Sequence, residues 1–468
     1  MLTRLEVDGF KNLLDFAVDF GPYTCIAGPN AAGKSNVFDA IQLLSLLADF
    51  PFIEAAQRLR ATGNRAADPS TLFWQDGTGS VAPSIRLAAE MIVPGEVEDD
   101  FGRIAKPSTT YLRYELELAY QEPDGKASSQ LGRITLLREQ LRHINKGDAP
   151  HRLRWEHSKK NFRDAVVTGR RAGTAYISTK EQDGMGVVNV HQDGGSRGQP
   201  RTSPAARAPR TVVSTTTTSD DPTILAARRE MQQWRSLALE PSSMHSPDAL
   251  TDPSIIEPNG AHLAATLYRL QTQLDDDAYA RVASLASALT DVREVRVDLD
   301  PHRELLTLQA RLGNGPFLPA RALSDGTLRF LALCIISIDP NYGGLLCMEE
   351  PENGIHPGRI DAMVDLVRRL AVDPTEPPGE DNAFRQIIVN THSPYFVQHQ
   401  QPADLLMAMP ATVRRGAIAA TSLRLTPMAG TWRAETTRGI TRSEIVDYLV
   451  SPPTAQLTLD ISGLAAPA

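Results

Sequence analysis

The chain has 468 residues, 41% of them hydrophobic, with 48 Lys and Arg against 56 Asp and Glu for a formal net charge of −8. That length exceeds one ordinary core and points to a large domain with insertions, or to two or three lobes. The apolar content is that of a soluble globular chain, no run approaches the ~20 apolar residues a spanning helix needs, and the acidic balance argues against a protein that simply coats nucleic-acid phosphate.

The first ten residues, MLTRLEVDGF, carry charges where a signal peptide needs its apolar core. Cys25, Cys334 and Cys347 each lie in an apolar run and read as small core residues of a reduced compartment. No Cys/His cluster has zinc-ligand spacing. A cytoplasmic protein that does not engage a membrane is the expectation.

In chain order, Leu2 to Phe20 predicts two short strands around the turn-like Lys11-Asn12, and Tyr23 to Ala27 a short buried strand ahead of a Gly-rich loop. Val37, Ile41, Leu44 and Leu47 recur at helical spacing, which predicts a helix from about Lys34 to Ala48. Ile85 to Val93, Tyr111 to Tyr120 and Arg133 to Ile144 alternate as strands of an antiparallel side sheet, with Pro123-Asp124-Gly125 as a hairpin turn. Gln192 to Asp220 has few apolar anchors and reads as a mobile linker. Pro222 to Leu239 and Asn259 to Leu289 read as helical, without sustained heptads. Val292 to Leu308 returns to strands. From Phe330 to Asn390 the pattern alternates helix, strand, helix, strand, the grammar of an α/β core with a buried, partly parallel sheet.

Four motifs carry chemistry. Gly28-Pro29-Asn30-Ala31-Ala32-Gly33-Lys34-Ser35 matches G-x-x-x-x-G-K-[ST] between an apolar strand and a helix. Glycines let such a loop curl around phosphate, and backbone N–H groups at a helix N-terminus attract anions. Lys34 is placed to bridge the β- and γ-phosphates of a nucleotide, and Ser35 to ligate Mg²⁺. Leu345-Leu346-Cys347-Met348 runs into Glu349-Glu350, so a buried strand delivers two carboxylates at its C-terminal end, where ligands of open α/β sheets bind. Glu349 is placed to hold Mg²⁺ through water and Glu350 to orient or deprotonate an attacking water. Leu323-Ser324-Asp325-Gly326-Thr327 opens an apolar helix, with Ser324 as N-cap and Gly326 leaving room for phosphate. His392 follows the strand Gln386 to Asn390.

Together these motifs resemble the ABC-type ATPases of the SMC/RecF group, and more narrowly the bacterial AAA-annotated ATPases related to OLD-family proteins found in phage-defence systems. The resemblance covers roughly Met1 to Ile41 and Leu323 to Pro394. It implies an α/β P-loop ABC-ATPase head with a mixed, partly parallel core sheet, an antiparallel β side sheet and an inserted helical lobe. Under it Gly28 to Ser35 is Walker A, Ser324 to Thr327 the signature loop, Glu349-Glu350 Walker B, Glu352 to Pro357 the D-loop region and His392 the switch histidine. The nucleotide-binding set is then Asn30, Ala31, Ala32, Gly33, Lys34, Ser35, Asn36, Ser324 and Gly326; Ser35 and Glu349 hold the metal; Lys34, Glu350 and His392 are catalytic. ATP and Mg²⁺ are the implied cofactors.

Three positions depart from the family pattern. Glu349 stands where Asp is commoner, Asp325 replaces the first signature glycine and Thr327 the usual glutamine. Gln75, in FWQDG, is the candidate Q-loop glutamine. The organisation expected is an ATPase lobe over 1–190, a flexible linker over 191–221, a helical insertion over 222–290 and a second ATPase lobe over 291–468.

In the family, one subunit's signature loop closes over ATP held by another. One Walker A and one signature per chain therefore imply a homodimer sandwiching two ATPs. The implied role is the motor or sensor subunit of a defence complex. The stretch after His392 is too short for an acidic-cluster nuclease domain, so a separate, nuclease-like effector is expected. The alternative is a RecF-like repair ATPase that binds duplex DNA through the basic stretch His151 to Arg171, with Arg197, Arg201, Arg207 and Arg210 beyond it. A transporter ATPase fits less well, because the interval between Walker A and signature is long and no coupling helix is recognisable.

Overall fold

The computed structural model describes residues 1–450 apart from 60–67, 77–80, 123–131, 170–172, 183–184, 194–198, 274–276, 416–417 and 436–438. The turn expected at Pro123-Asp124-Gly125 lies outside the described residues.

A six-stranded mixed sheet forms the centre. Its order is Arg235–Leu237, Gly344–Glu349, Arg385–Thr391, Tyr23–Ala27, Leu405–Arg415 and Ile418–Pro427. The first five run parallel and the last closes an antiparallel hairpin. Its middle strands are buried on both faces, which is why their centres read as continuous apolar runs such as Leu345–Met348 and Ile387–Val389. Successive side chains part to opposite layers. Ile26, Leu345, Cys347 and Ile388 join the core beneath the helix Lys34–Leu47. Cys25, Leu346, Met348, Ile387 and Val389 join the core under the helices Leu263–Gln273, Asp325–Ile338 and Ile360–Arg369. All three cysteines are buried and free.

The side sheet is antiparallel and larger than the three strands expected. Eight strands run in the order Arg201–Pro204, Met185–Val190, Ile177–Gln182, Arg133–His143, Tyr111–Gln121, Ser84–Ile92, Leu2–Asp8 and Phe16–Asp19. A third, smaller sheet holds Asp248–Ala249, Leu305–Leu312, Val292–Asp300 and Phe317–Pro319.

Two segments differ from expectation. Within 191–221, which composition alone reads as a linker, Arg201–Pro204 forms the edge of the side sheet. Thr211, Val213 and Ser214 are buried. Anchoring comes from far away in sequence: the fully buried Glu139 carboxylate accepts the Val212 and Val213 N–H groups at 2.7 and 3.0 Å, and the Thr211 hydroxyl donates to the Leu47 carbonyl at 2.9 Å. Within 222–290, the helix Pro222–Gln232 ends early, and Arg235–Leu237 joins the core sheet in parallel beside Gly344–Glu349. A segment expected to be an inserted helical lobe thus supplies an edge of the central sheet. Among the described residues, no helix is long and apolar enough to cross a membrane.

The lower end of the central strand Arg385–Thr391 is held by a buried cation. Arg385 is 2% exposed and donates to the carbonyls of Tyr342 (2.7 Å), Asp339 (3.3 Å) and Leu370 (3.4 Å). Burial pulls its guanidinium down to about 10. Replacing Arg385 with Met keeps the apolar stem but strands those carbonyls. Arg385→Met should lower unfolding stability by about 3 kcal/mol, read from the midpoint of urea denaturation; a midpoint equal to that of the parent would show that the three carbonyls find other partners.

Candidate functional site

The site follows from strand order. Arg385–Thr391 lies between Tyr23–Ala27 and Gly344–Glu349, all parallel, with Asn390 opposite both Ile26 and Glu349. The loop after Ala27 and the acids after Met348 therefore leave the sheet at the same end, despite more than 300 intervening residues. There they line one cavity of about 280 Å³, bounded by Asn30–Asn36, Glu349, Glu350 and Asn390.

Local chemistry shapes the loop. Gly33 has φ of +95° and Ala31 +63°, the left-handed turns that curl the chain. A Cβ on Gly33 would stand 2.1 Å from Asn12 Nδ2, so Asn12 packs directly on the loop. Asn36 Nδ2 donates to Asn12 Oδ1 at 2.8 Å, bracing the first helical turn from outside. Gly28 N donates to the Thr391 carbonyl at 3.1 Å, tying the loop's origin to the neighbouring strand.

Lys34 is 7% exposed and folds back on its own loop, donating to the carbonyls of Gly28 (2.7 Å) and Pro29 (2.8 Å). Burial pulls its ammonium below the ordinary range, opposed by Glu350, Glu349 and Glu352. An ammonium held by two carbonyls beside three carboxylates is a cation ready to exchange those partners for phosphate oxygens.

Glu350 is held on both sides. His392 Nδ1 lies 2.6 Å from Glu350 Oε1, and Asn353 Nδ2 donates to Glu350 Oε2 at 2.7 Å. Its backbone is left-handed, with φ of +46°, a conformation costing on the order of 1 kcal/mol or more for a non-glycine residue. The Glu350 N–H donates to the Asn390 carbonyl at 3.0 Å, which offsets part of that strain. Glu349 is exposed at the strand's end and faces the cavity. Ser35 and Glu349 both line the cavity, and their hydroxyl and carboxylate are hard oxygen donors of the kind Mg²⁺ takes.

The signature loop stands apart. Ser324 caps the helix Asp325–Ile338, its Oγ accepting from Thr327 N at 3.2 Å. Ser324 and Gly326 are not among the residues lining the cavity of their own chain. Gly326 packs closely on the D-loop region instead: a Cβ there would lie 3.1 Å from the Gly354 carbonyl oxygen. Asp325, the departure from glycine, is met by His245 Nε2 at 3.1 Å. Gln75 is exposed and lines a different cavity, with Lys11 and Trp74, so it does not join the phosphate site.

Part of the basic stretch is consumed internally. Arg152 pairs with Glu90, Arg154 with Asp19 at 2.7 Å and Arg201 with Asp221. Lys159 and Lys160 stay exposed on a turn anchored by buried Phe162. Arg170, Arg171 and Arg197 lie outside the described residues.

Fold and site together are those of an α/β protein whose phosphate-loop pattern and paired carboxylates meet at one end of a mixed central sheet. A family model described as "AAA domain, putative AbiEii toxin, Type IV TA system" matches residues 130–398, more than half of the chain, including the signature loop, Glu349-Glu350 and His392. The chain belongs to that family. A curated relative, the OLD nuclease of Thermus scotoductus, is 48% identical over 44 residues, which is 9% of this chain and 8% of the relative. The chain therefore aligns with less than a tenth of that protein's length. Among solved structures, an SMC head bound to the C-winged helix domain of ScpA is 12% identical, covering 92% of this chain and 98% of its own, with a TM-score of 0.48. The SMC head domain from Thermotoga maritima is 12% identical over 91% of this chain and 98% of its own, with a TM-score of 0.38.

Asn12, Asn390 and His245 belong to no motif recognised in the sequence, because their partners are far away in the chain. Asn353 falls within the D-loop resemblance, which gives it no role.

Removing the Lys34 ammonium should weaken ATP binding by about 10- to 100-fold, as expected for loss of a charge-assisted contact in a partly desolvated site. Isothermal titration of Lys34→Ala checks this, and an unchanged affinity would remove the loop's claim to the phosphates.

Proposed function

We propose that the chain binds ATP with Mg²⁺ in the cavity between Asn30–Asn36 and Glu349-Glu350, and hydrolyses it with Glu350 as general base. The observation carrying this reading is the convergence of the phosphate-loop pattern, two carboxylates and a histidine-held Glu350 at one end of the central sheet.

Lys34 and the loop amides bind and orient the β- and γ-phosphates, and Ser35 and Glu349 would hold Mg²⁺, whose positive charge would offset the negative charge of the phosphates. Glu350 accepts the proton of the attacking water, and His392 and Asn353 fix the direction in which its carboxylate points. Ser324 and Gly326 complete the site on a second copy, arranged head to tail, so that ATP holds two subunits together and hydrolysis releases them. Their position outside their own chain's cavity supports this arrangement.

For biological role, the reading is a motor or sensor subunit of a bacterial defence complex with a separate effector. The family description, which names a toxin, and the short likeness to an OLD nuclease support it. The internal pairing of Arg152, Arg154 and Arg201 lessens the support for direct duplex DNA binding.

Glu350→Gln keeps size and removes the anionic acceptor, so turnover should fall by ~10²–10⁴-fold while ATP binding persists. The closed dimer should then accumulate with ATP. Glu349→Gln should instead weaken the productive Mg²⁺-dependent complex. Phosphate release and light scattering on both variants test the pair; parental turnover in Glu350→Gln would refute the assignment, and loss of turnover without ATP-dependent dimerisation would count against the head-to-tail sandwich.

A further inference from the structure

A third carboxylate lies behind the phosphate cavity. Glu352 follows the Gly344–Glu349 strand by three residues, in a loop, yet is only 6% exposed. One of its oxygens, Oε1, accepts a hydrogen bond from the Thr391 hydroxyl, and the other, Oε2, is buried with no partner. Burial pushes its carboxyl above the ordinary range, opposed first by the Thr391 bond. Such a group is expensive to keep inside a protein. Two apolar side chains would join the same loops at lower cost, so the bond's geometry matters more than its contribution to stability.

What the bond joins is specific. Glu352 precedes Asn353, which holds Glu350 Oε2, and Thr391 precedes His392, which holds Glu350 Oε1. The Glu352–Thr391 bond thus ties together the two segments whose next residues grip Glu350 from opposite sides. Both segments are stiffened nearby. Ser393 N donates to Thr391 Oγ1 at 3.0 Å, so that hydroxyl brackets His392, and Ile355 N donates to the Glu352 carbonyl at 3.0 Å, closing the turn that carries Asn353. Glu350 itself sits in a left-handed conformation, so its carboxylate direction depends on these two neighbours.

We propose that Glu352 is a positioning residue for hydrolysis: by clasping the Thr391 hydroxyl it sets the spacing of the Asn353 and His392 loops, and through them aims the Glu350 carboxylate. The proposal rests on the reading of Glu350 as the general base. The hydrogen-bond acceptor at position 352 performs the role, not its charge, so glutamine substitutes for it and alanine does not.

The test uses Glu352→Ala, Glu352→Gln, Thr391→Val and the double variant Glu352→Ala/Thr391→Val of the full chain. Phosphate release, ATP titration and selective ¹⁵N-histidine NMR without nucleotide are measured on each. Glu352→Ala and Thr391→Val should each lower kcat about 10- to 100-fold, the scale of a small misplacement of a catalytic group. KM for ATP should stay within about twofold, since neither side chain forms a hydrogen bond to the Asn30–Asn36 loop. Glu352→Gln should keep most of the parental kcat, and the double variant should be no worse than either single change, because both break one contact. The His392 ring resonances should move in Glu352→Ala and Thr391→Val but not in Glu352→Gln. If Glu352→Ala does not fold, Thr391→Val and Glu352→Gln still carry the comparison. Parental kcat in Glu352→Ala or Thr391→Val, equal losses in the Ala and Gln variants, or additive losses in the double variant would each overturn the proposal. Parental turnover in Glu350→Gln would place the failure with the general base instead, and the histidine resonances would still report whether Glu352 holds His392.

Discussion

The whole site depends on one strand pairing. Arg385–Thr391 is inserted in parallel between Tyr23–Ala27 and Gly344–Glu349, and the register sets Asn390 beside both Ile26 and Glu349. Because side chains alternate with period two, a slip of one residue would exchange the two apolar layers as well as displace the strand ends. Burial on both faces therefore fixes the position of the phosphate loop relative to the acids. Ligands of such sheets gather at the carboxyl ends of the strands, and here that end brings together chain segments that no local interaction could join. Arg385 secures the opposite end of the same strand with three carbonyl contacts.

The site is crowded with acid for a phosphate-binding pocket. Glu349, Glu350 and Glu352 all act on Lys34, the buried ammonium of the loop. Each carboxylate has a distinct environment. Glu349 faces the cavity from the strand's exposed end, Glu350 is gripped by a histidine and an amide, and Glu352 is buried against a hydroxyl. Two carboxylates side by side in sequence thus meet different surroundings, because the strand ends between them and Glu350 takes a left-handed backbone conformation. The same economy of charge recurs at the signature loop, where His245 meets the Asp325 carboxylate that stands in place of a glycine.

Much of this is legible in the sequence, for physical reasons. The strands at Tyr23 and Leu345 are short apolar runs that end in chemistry, and the helix after Gly33 repeats its apolar residues at helical spacing, so residue pattern alone assigns the loop and the acids to their elements. The side sheet is visible in its three longest strands, whose alternation is regular, while Ile177–Gln182 and Arg201–Pro204 are largely polar and Met185–Val190 is short and does not alternate, so they carry little pattern. Residues 191–221 look like a linker because their anchoring groups lie elsewhere: Glu139 and Leu47 supply partners that composition does not show. Arg235–Leu237 is hidden for a related reason, being too short to break the helical reading around it. The contacts of Asn12 and of Glu352, which the D-loop resemblance includes without a role, escape sequence reasoning because each forms only after distant segments meet.

The central claim is that each chain holds half of a hydrolytic site and a second copy supplies the rest. The most direct measurement mixes two inactive variants, Lys34→Ala, with an intact signature loop, and Ser324→Arg, with an intact phosphate loop. In a head-to-tail dimer one of the two shared sites then combines two intact halves. The account predicts that the mixture regains ATP hydrolysis that neither variant shows alone. If mixed dimers form and the mixture stays inactive, the signature loop does not complete the partner's site and the claim is contradicted.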